Sequence, residues 1–231
     1  MDAQHTPSIA THHDADCVIC FGDIHGHLGA AQAAIALAER LAVKAIFLGD
    51  YVDRGPDSFG TVELLAEVSK RHPSWVFLLG NHDLMLAQAI EGRRHPEGYD
   101  ERTVNETLPT ITANCRPAVH AWLNHRPAYH REGRCLFIHG GFEAANAAIE
   151  TLCREELVWT YGVPKDWMGD TVVRGHQLVD TPKFGDHDIN LNTRCGFGGW
   201  LTGLMLNTSN ATPLRWWKIS EDGGTVTEHE L

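Results

Sequence analysis

Three times in the first 83 residues an apolar run stops on a glycine followed by a carboxylate or an amide: CVICFGD (17–23), KAIFLGD (44–50) and WVFLLGNHD (75–83). Between these runs lie helical segments. One is the alanine-rich HLGAAQAAIALAERLA (27–42); the other is SFGTVELLAEVSKRH (58–72), where Val62, Leu65 and Val68 recur on one side. Strands and helices alternating in this order call for parallel strands joined by right-handed crossovers. Such a sheet gathers ligands outside the carboxyl ends of its strands, so the three polar tails are expected on one rim. The chain reads as α/β.

The remaining segments extend this pattern. LMLAQAIEG continues as a helix with Gly92 as its stop, and residues 93–116 form a polar insertion of loop and short helix. AVHAWLNHR (118–126) is helical with Pro117 at its start. RCLFIHGG (134–141) and TVVRGHQ (171–177) are two more strands, each ending in histidine. The C-terminal third alternates polar and apolar residues between glycines, which predicts antiparallel strands in a second sheet packed on the first. No linker or repeat interrupts the chain. One domain over 16–231 is expected, preceded by a disordered polar tail over 1–15.

Composition narrows the function classes. With 231 residues the chain can bury a sizeable core, and 43% hydrophobic with 21% charged residues is ordinary for a soluble protein. A net charge of −11 offers no basic stripe for nucleic acid or an anionic membrane. No apolar run approaches the roughly 18–20 residues of a membrane helix, and the polar, acidic N-terminus does not read as a signal peptide. A cytoplasmic setting follows as the expectation. Cys17 and Cys20 lie three apart in a strand, hence on opposite faces, and no second C-x-x-C completes a zinc site. They read as structural thiols.

Histidine is the unusual component, with 15 in the chain, and several close the apolar runs. The strand-end clusters are Asp23-x-His25, Asp50-x-x-Asp53-Arg54, Asn81-His82-Asp83, His139 and His176. Carboxylate, imidazole and amide oxygen together suit divalent cations such as Mn²⁺, Fe²⁺ or Zn²⁺. Glycines 22, 49, 80 and 140 leave room for backbone to approach an ion or ligand. His27 reads as the opening of a helix and Asp83 as a helix cap or a supporting residue.

GDIHG, GDYVDRG, GNHD, HGG and GH, in this order, resemble the metallophosphoesterases of the phosphoprotein phosphatase family, especially its compact bacterial members. The likeness runs from about Cys17 to Leu206 and departs from the usual GNHE at GNHD. It implies a calcineurin-like fold of two packed mixed sheets flanked by helices, and a pair of divalent ions, Mn²⁺ foremost. By this resemblance Asp23 and His25 hold the first ion, Asp50 bridges, and Asn81, His139 and His176 complete the second. His82 would protonate the leaving oxygen, Asp53 would orient it, and Arg54 would grip phosphate. Many bacterial members carry a second arginine where LVWTYG has Tyr161; Arg194, in NTRCGFGG, is the candidate replacement. A tyrosine supplies neither charge nor a bidentate fork.

The expected reaction is hydrolysis of a phosphomonoester by water held between two ions. A serine/threonine-type protein phosphatase is the favoured reading, with a dinucleoside polyphosphate or nucleotide hydrolase as the alternative. The complete set of site residues argues against a non-catalytic phospho-binding module. The insertion at 93–116 (Arg93, Arg94, Arg102) and the segment 161–170 are expected at the entrance.

Overall fold

The computed structural model describes residues 16–231, so the tail expected over 1–15 lies outside the described residues. Its first half follows the sequence pattern: β1 (Cys17–Phe21), α1 (Leu28–Leu41), β2 (Lys44–Phe47), α2 (Ser58–Arg71), β3 (Val76–Phe77) and α3 (Asn81–Ile90). A π-helical turn (Thr103–Thr107), a 3₁₀ turn (Leu108–Thr110) and α4 (Arg116–Asn124) follow. Next come β4 (Tyr129–Glu132), β5 (Cys135–Ile138), α5 (Arg154–Trp159), β6 (Thr171–Arg174), β7 (Lys183–Phe184) and β8 (Asp188–Asn190). The chain closes with β9 (Leu201–Asn207), β10 (Thr212–Ile219) and β11 (Val226–His229).

Two mixed sheets result, of order β11-β10-β9-β1-β2-β3 and β4-β5-β6-β8-β7. This corrects one expectation. The C-terminal strands β9 to β11 extend the first sheet, because β9 lies antiparallel to β1 with Cys20 opposite Leu204. The second sheet comes from the middle of the chain, where β5, β6 and β8 run parallel between the antiparallel edges β4 and β7. β3 is shorter than its apolar run. Only Val76 and Phe77 pair with β2, and the Leu79 N–H turns away to the Pro127 carbonyl at 2.9 Å.

Period-2 alternation assembles the layers. Val18 and Cys20 of β1, Ile46 of β2, Cys135 and Phe137 of β5 and Val173 of β6 meet between the sheets. Ile19 and Phe21 face the other way, onto α1 (Ala30, Ala34, Ala38) and α2 (Val62, Leu65). Leu136, Ile138 and Val172 pack the outer face of the second sheet with Phe142 and Trp167. Buried side chains of this size contribute roughly 1.5–3 kcal/mol each, so both sheets are tied firmly through the middle layer. Burial there raises the Cys20 thiol well above the usual range, as suits a structural thiol. Among the described residues no helix is long and apolar enough to cross a membrane.

Candidate functional site

The parallel strands of both sheets end at a common cleft of about 600 Å³, lined by His25, Asp50, Arg54, Asn81, His82 and His176 among others. Loops after β1 deliver Asp23 and His25, the loop after β2 delivers Asp50, Asp53 and Arg54, and β5 and β6 deliver His139 and His176. Asn81, His82 and Asp83 form the first turn of α3 rather than a strand end. The rim is conformationally demanding: His25, Asp50, Asp53, Arg54 and His176 have φ of 49°, 54°, 70°, 72° and 61°. Left-handed backbone at non-glycine residues persists where the surroundings over-determine it, and it clusters at functional sites.

Asp50 lies at the middle of the cluster. Its Oδ2 is 3.6 Å from His25 Nε2 and 3.3 Å from His139 Nε2, while its Oδ1 accepts the His82 N–H at 2.9 Å. Asp83 sets the Asp50 backbone: its carboxylate accepts from the N–H groups of Asp50 (2.8 Å), Tyr51 (2.9 Å) and Gly80 (2.9 Å). All three of these bonds serve the scaffold, in keeping with a helix-start role. A Cβ on residue 80 would overlap Asp50 itself, so glycine is required there.

Two imidazoles have their tautomers set from behind. His25 Nδ1 bonds the Val52 carbonyl at 3.0 Å, and His139 Nδ1 bonds the Leu48 carbonyl at 2.9 Å. Each thereby directs Nε2 at Asp50, the arrangement in which a second partner orients a metal-binding histidine. His176 Nε2 is buried with no hydrogen-bond partner. Its ligand atom, Asp50's and His139's lie within 4.8 Å of one another, as do those of His25, Asp50 and His82. A buried nitrogen without a partner, beside carboxylates and imidazoles aimed inward, is a donor set that fits divalent ions.

Burial and charge divide the groups of the site. Burial pushes the His25 and His176 imidazoles down to about 3, so both present neutral lone pairs. Burial alone would also lower His139, but the Asp50 carboxylate overrides it and lifts this imidazole to about 9. Burial works to raise Asp50, yet His139 and His82 beside it hold the group well below the ordinary carboxylate range. Burial raises Asp23, with a further push from Asp50. Asp23 accepts from the His176 N–H (3.2 Å) and from Asn192 Nδ2 (2.5 Å). Gly175 is bare because a Cβ would run into Asp23 Oδ1.

At the cleft surface His82 Nδ1 bonds Asp53 Oδ2 at 2.6 Å, and Arg54 Nη2 bonds His82 Nε2 at 2.8 Å. Arginine only donates, so Nε2 is the acceptor here and the ring proton faces Asp53. Asp53 is fully buried, and its two oxygens also accept from Thr103 and Thr107, both at 2.5 Å. The Arg54 guanidinium lies 4.1 Å from the centre of the Phe197 ring, with Nε buried and unpaired.

The sequence missed Thr103, Thr107, Asn192 and Phe197. The threonines sit in the insertion, where Thr-x-x-x-Thr spacing was their only signal. The NTRCGFGG stretch does reach the site, but through Asn192 and Phe197. Arg194 is not among the cleft-lining residues, and its Nη1 lies 3.5 Å from the exposed Asp180. The left-handed turn at Arg194 (φ 69°) separates it from its two neighbours in the site. Arg93, Arg94 and Arg102 are paired with Glu91, Asp100 and Glu106. His27, Cys195 and Glu221 form a third cluster of ligand-type atoms. There Glu221 Oε1 accepts from the N–H groups of Gly196 (2.8 Å) and Gly198 (3.1 Å), and Cys195 donates to the Ile24 carbonyl, so the cluster holds the Phe197 loop.

Residues 18–203 match the model of the calcineurin-like phosphoesterases. The chain belongs to that family. That family is one of metallophosphoesterases that work with divalent ions, which the donor set described above fits. Over 125 residues it is 34% identical to a protein of Dechloromonas aromatica (strain RCB) named bis(5'-nucleosyl)-tetraphosphatase, symmetrical, covering 52% of this chain and 42% of the relative. The chain thus spans less than half the length of the first relatives it matches. Over 219 residues it is 31% identical to bis(5'-nucleosyl)-tetraphosphatase PrpE [asymmetrical] of Bacillus cereus (strain AH187), covering 79% of this chain and 87% of that one.

Solved structures share the fold. A cold-active protein-tyrosine phosphatase of a psychrophilic Shewanella species superposes with a TM-score of 0.61 at 16% identity, covering 94% of this chain and 80% of the other. A metallophosphoesterase from Sphaerobacter thermophilus gives 0.56 at 16%, covering 93% and 88%.

Proposed function

We propose that this phosphoesterase hydrolyses dinucleoside polyphosphates, cleaving a P–O–P bridge with water. The observation that carries the reading is the alignment with the Bacillus cereus asymmetrical tetraphosphatase, which runs through 79% of this chain and 87% of that one. This is the alternative that the motifs left open. The phosphoprotein reading they favoured now rests only on fold-level likeness to protein phosphatases.

In this reading Asp23 and His25 would hold one ion and Asn81, His139 and His176 the other, with the Asp50 carboxylate available to both. When bound, the ions supply Lewis acidity toward phosphate oxygens and lower the pKa of the attacking water. The chain's own residues do the rest. Arg54 leaves His82 Nε2 to meet the incoming phosphate oxygens, using Nη2 and the unpaired Nε, while Phe197 supports its face. That exchange exposes Nε2 to the leaving oxygen. Once free of Arg54, Nε2 takes up a proton from solvent; the water oxygen then forms the new bond to phosphorus and releases its proton to solvent, the bridging P–O bond breaks, and the Nε2 proton neutralises the departing oxygen. Asp53, anchored by Thr103 and Thr107, keeps the imidazole on line throughout.

The test is a panel of kcat/KM values for the manganese-loaded protein on diadenosine tetraphosphate, a phosphoserine peptide and p-nitrophenyl phosphate. Diadenosine tetraphosphate is expected to lead the peptide by about 100-fold or more, the order that contacts in a largely apolar pocket reach. The reverse ranking would return the chain to the protein phosphatases.

A further inference from the structure

From this cleft we infer a nucleobase-binding wall formed by Tyr99, Trp159 and Tyr161, which selects base-bearing over base-free phosphate compounds. The inference rests on the dinucleoside polyphosphate reading and assigns a place to one of its bases.

The wall starts at the candidate metal centre and leads outward without a gap. The Tyr161 ring lies 4.4 Å from the His176 ring, and Trp159 stands edge-on to His176 at 6.4 Å. Tyr99 follows at 5.6 Å from Trp159, with His95 4.7 Å from Trp159 and 5.3 Å from Tyr99. All three wall residues line the cleft, yet Tyr99 is 59% exposed and Tyr161 is 70% exposed. Aromatic faces left in water beside a deep polar site are a cost to a free protein and mark a binding surface. Phe197, on the other side, is already engaged by Arg54.

The wall is held in place before any ligand arrives. Gly141 bridges to Gly162, which seats Tyr161 next to the strand that carries His139. The turn that presents Tyr99 is fixed by the buried Asp100, whose carboxylate accepts the His95 N–H at 3.1 Å and meets Arg94 at 3.3 Å.

Charge identifies the occupant. Arg93 and Arg94, which line a neighbouring hollow with Trp159, are neutralised by Glu91 and Asp100, and Arg174 beside Gly162 is paired with Asp188. Beyond the metal centre the cleft therefore offers flat, uncharged rings rather than a site for further phosphates. A planar heterocycle tethered a ribose away from a phosphate matches that sequence of surfaces. Base-on-aromatic stacking of this kind tolerates any base, since each has a π-face.

The test compares AMP with ribose 5-phosphate, which carries the same phosphate and sugar but no base. Calorimetric Kd values on the manganese-loaded protein should favour AMP by about ten-fold, within the range of one stacked base. Tyr99→Ala and Tyr161→Ala should each shrink that preference several-fold, the double variant should bring it close to one, and Tyr99→Phe with Tyr161→Phe should restore it. Ribose 5-phosphate affinity within each variant reports an intact phosphate site. Equal affinity of the unaltered protein for the two ligands, or a preference that survives the double alanine variant, overturns the wall. Failure to cleave diadenosine tetraphosphate with the AMP preference intact would instead overturn the substrate reading alone.

Discussion

One side of the cleft, its floor, is Asp50 and His82, backed by Asp53 and His139, all buried and each held by at least two hydrogen bonds or ion pairs from other elements. The other side is Tyr99 and Tyr161, more than half exposed and touching mainly other rings. Groups that handle charge and protons need fixed geometry and low dielectric, so the fold encloses them and over-determines their positions. Groups that recognise a planar ligand need an open face, so the fold leaves them in solvent. A substitution on the first side should therefore disturb chemistry or stability, and one on the second should disturb choice of ligand.

The largest expected effects test the enclosed side. Removing divalent ions with a chelator should abolish turnover, with recovery on adding Mn²⁺. His82→Asn should lower kcat by about 1,000-fold, within the usual worth of a general acid, while the unfolding midpoint barely moves. A kcat that stays within ten-fold of the parent would remove His82 from proton transfer. Gly175→Ala should come next, since its Cβ would overlap the Asp23 carboxylate. We expect about 2 kcal/mol lost in denaturant unfolding, typical of overpacking, together with weaker metal uptake.

Thr103→Val combined with Thr107→Val strips Asp53 of two hydroxyl donors while keeping their volume. The expected result is a kcat about ten-fold lower with metal content unchanged, because bonds to a charged group contribute roughly 1.5–3 kcal/mol and part of that falls on the ground state. Loss of metal along with kcat would show that these residues support the whole rim and not the Asp53–His82 pair.

The smallest effect lies away from the cleft, where Lys44 of β2 reaches across the two sheets to Glu132 of β4, which also bonds His130 of its own strand. The hydrogen bond from His130, then that from Lys44, holds the Glu132 carboxyl below the usual range. A lowered carboxylate pKa stabilises the fold above the unfolded value, about 4.3, and that contribution disappears as pH falls through the folded value. Glu132→Gln should cost under about 1 kcal/mol at pH 7, the group being partly solvated, and close to nothing at low pH. An equal cost at both pH values would assign the effect to packing.

Much of the site was legible because its residues follow their strands within a few positions. An apolar run sets the strand, the glycine turn ends it, and the polar tail must then sit at the carboxyl rim. Asp23, His25, Asp50, Asn81, His82, His139 and His176 are all where that logic put them. Arg194 instead lies beside Asp180, in a stretch where two left-handed residues, Arg194 and Gly196, separate Asn192 from Phe197, and no local pattern encodes that turn. The C-terminal strands were read as strands but assigned to the wrong sheet, since alternation gives a strand two faces and not its neighbour.

The sequence by itself determined the α/β order and the chemistry at each strand end, because both depend on residues close together in the chain. Only the tertiary structure decided that β9 pairs with β1, that Thr103 and Thr107 reach back 50 and 54 residues to Asp53, and that Asn192 crosses 169 residues to Asp23. It also decided that Tyr99, through Trp159, and Tyr161 come to the same cleft beside His176. Contacts at such separations are fixed by how whole layers pack, and that information is spread over the entire core.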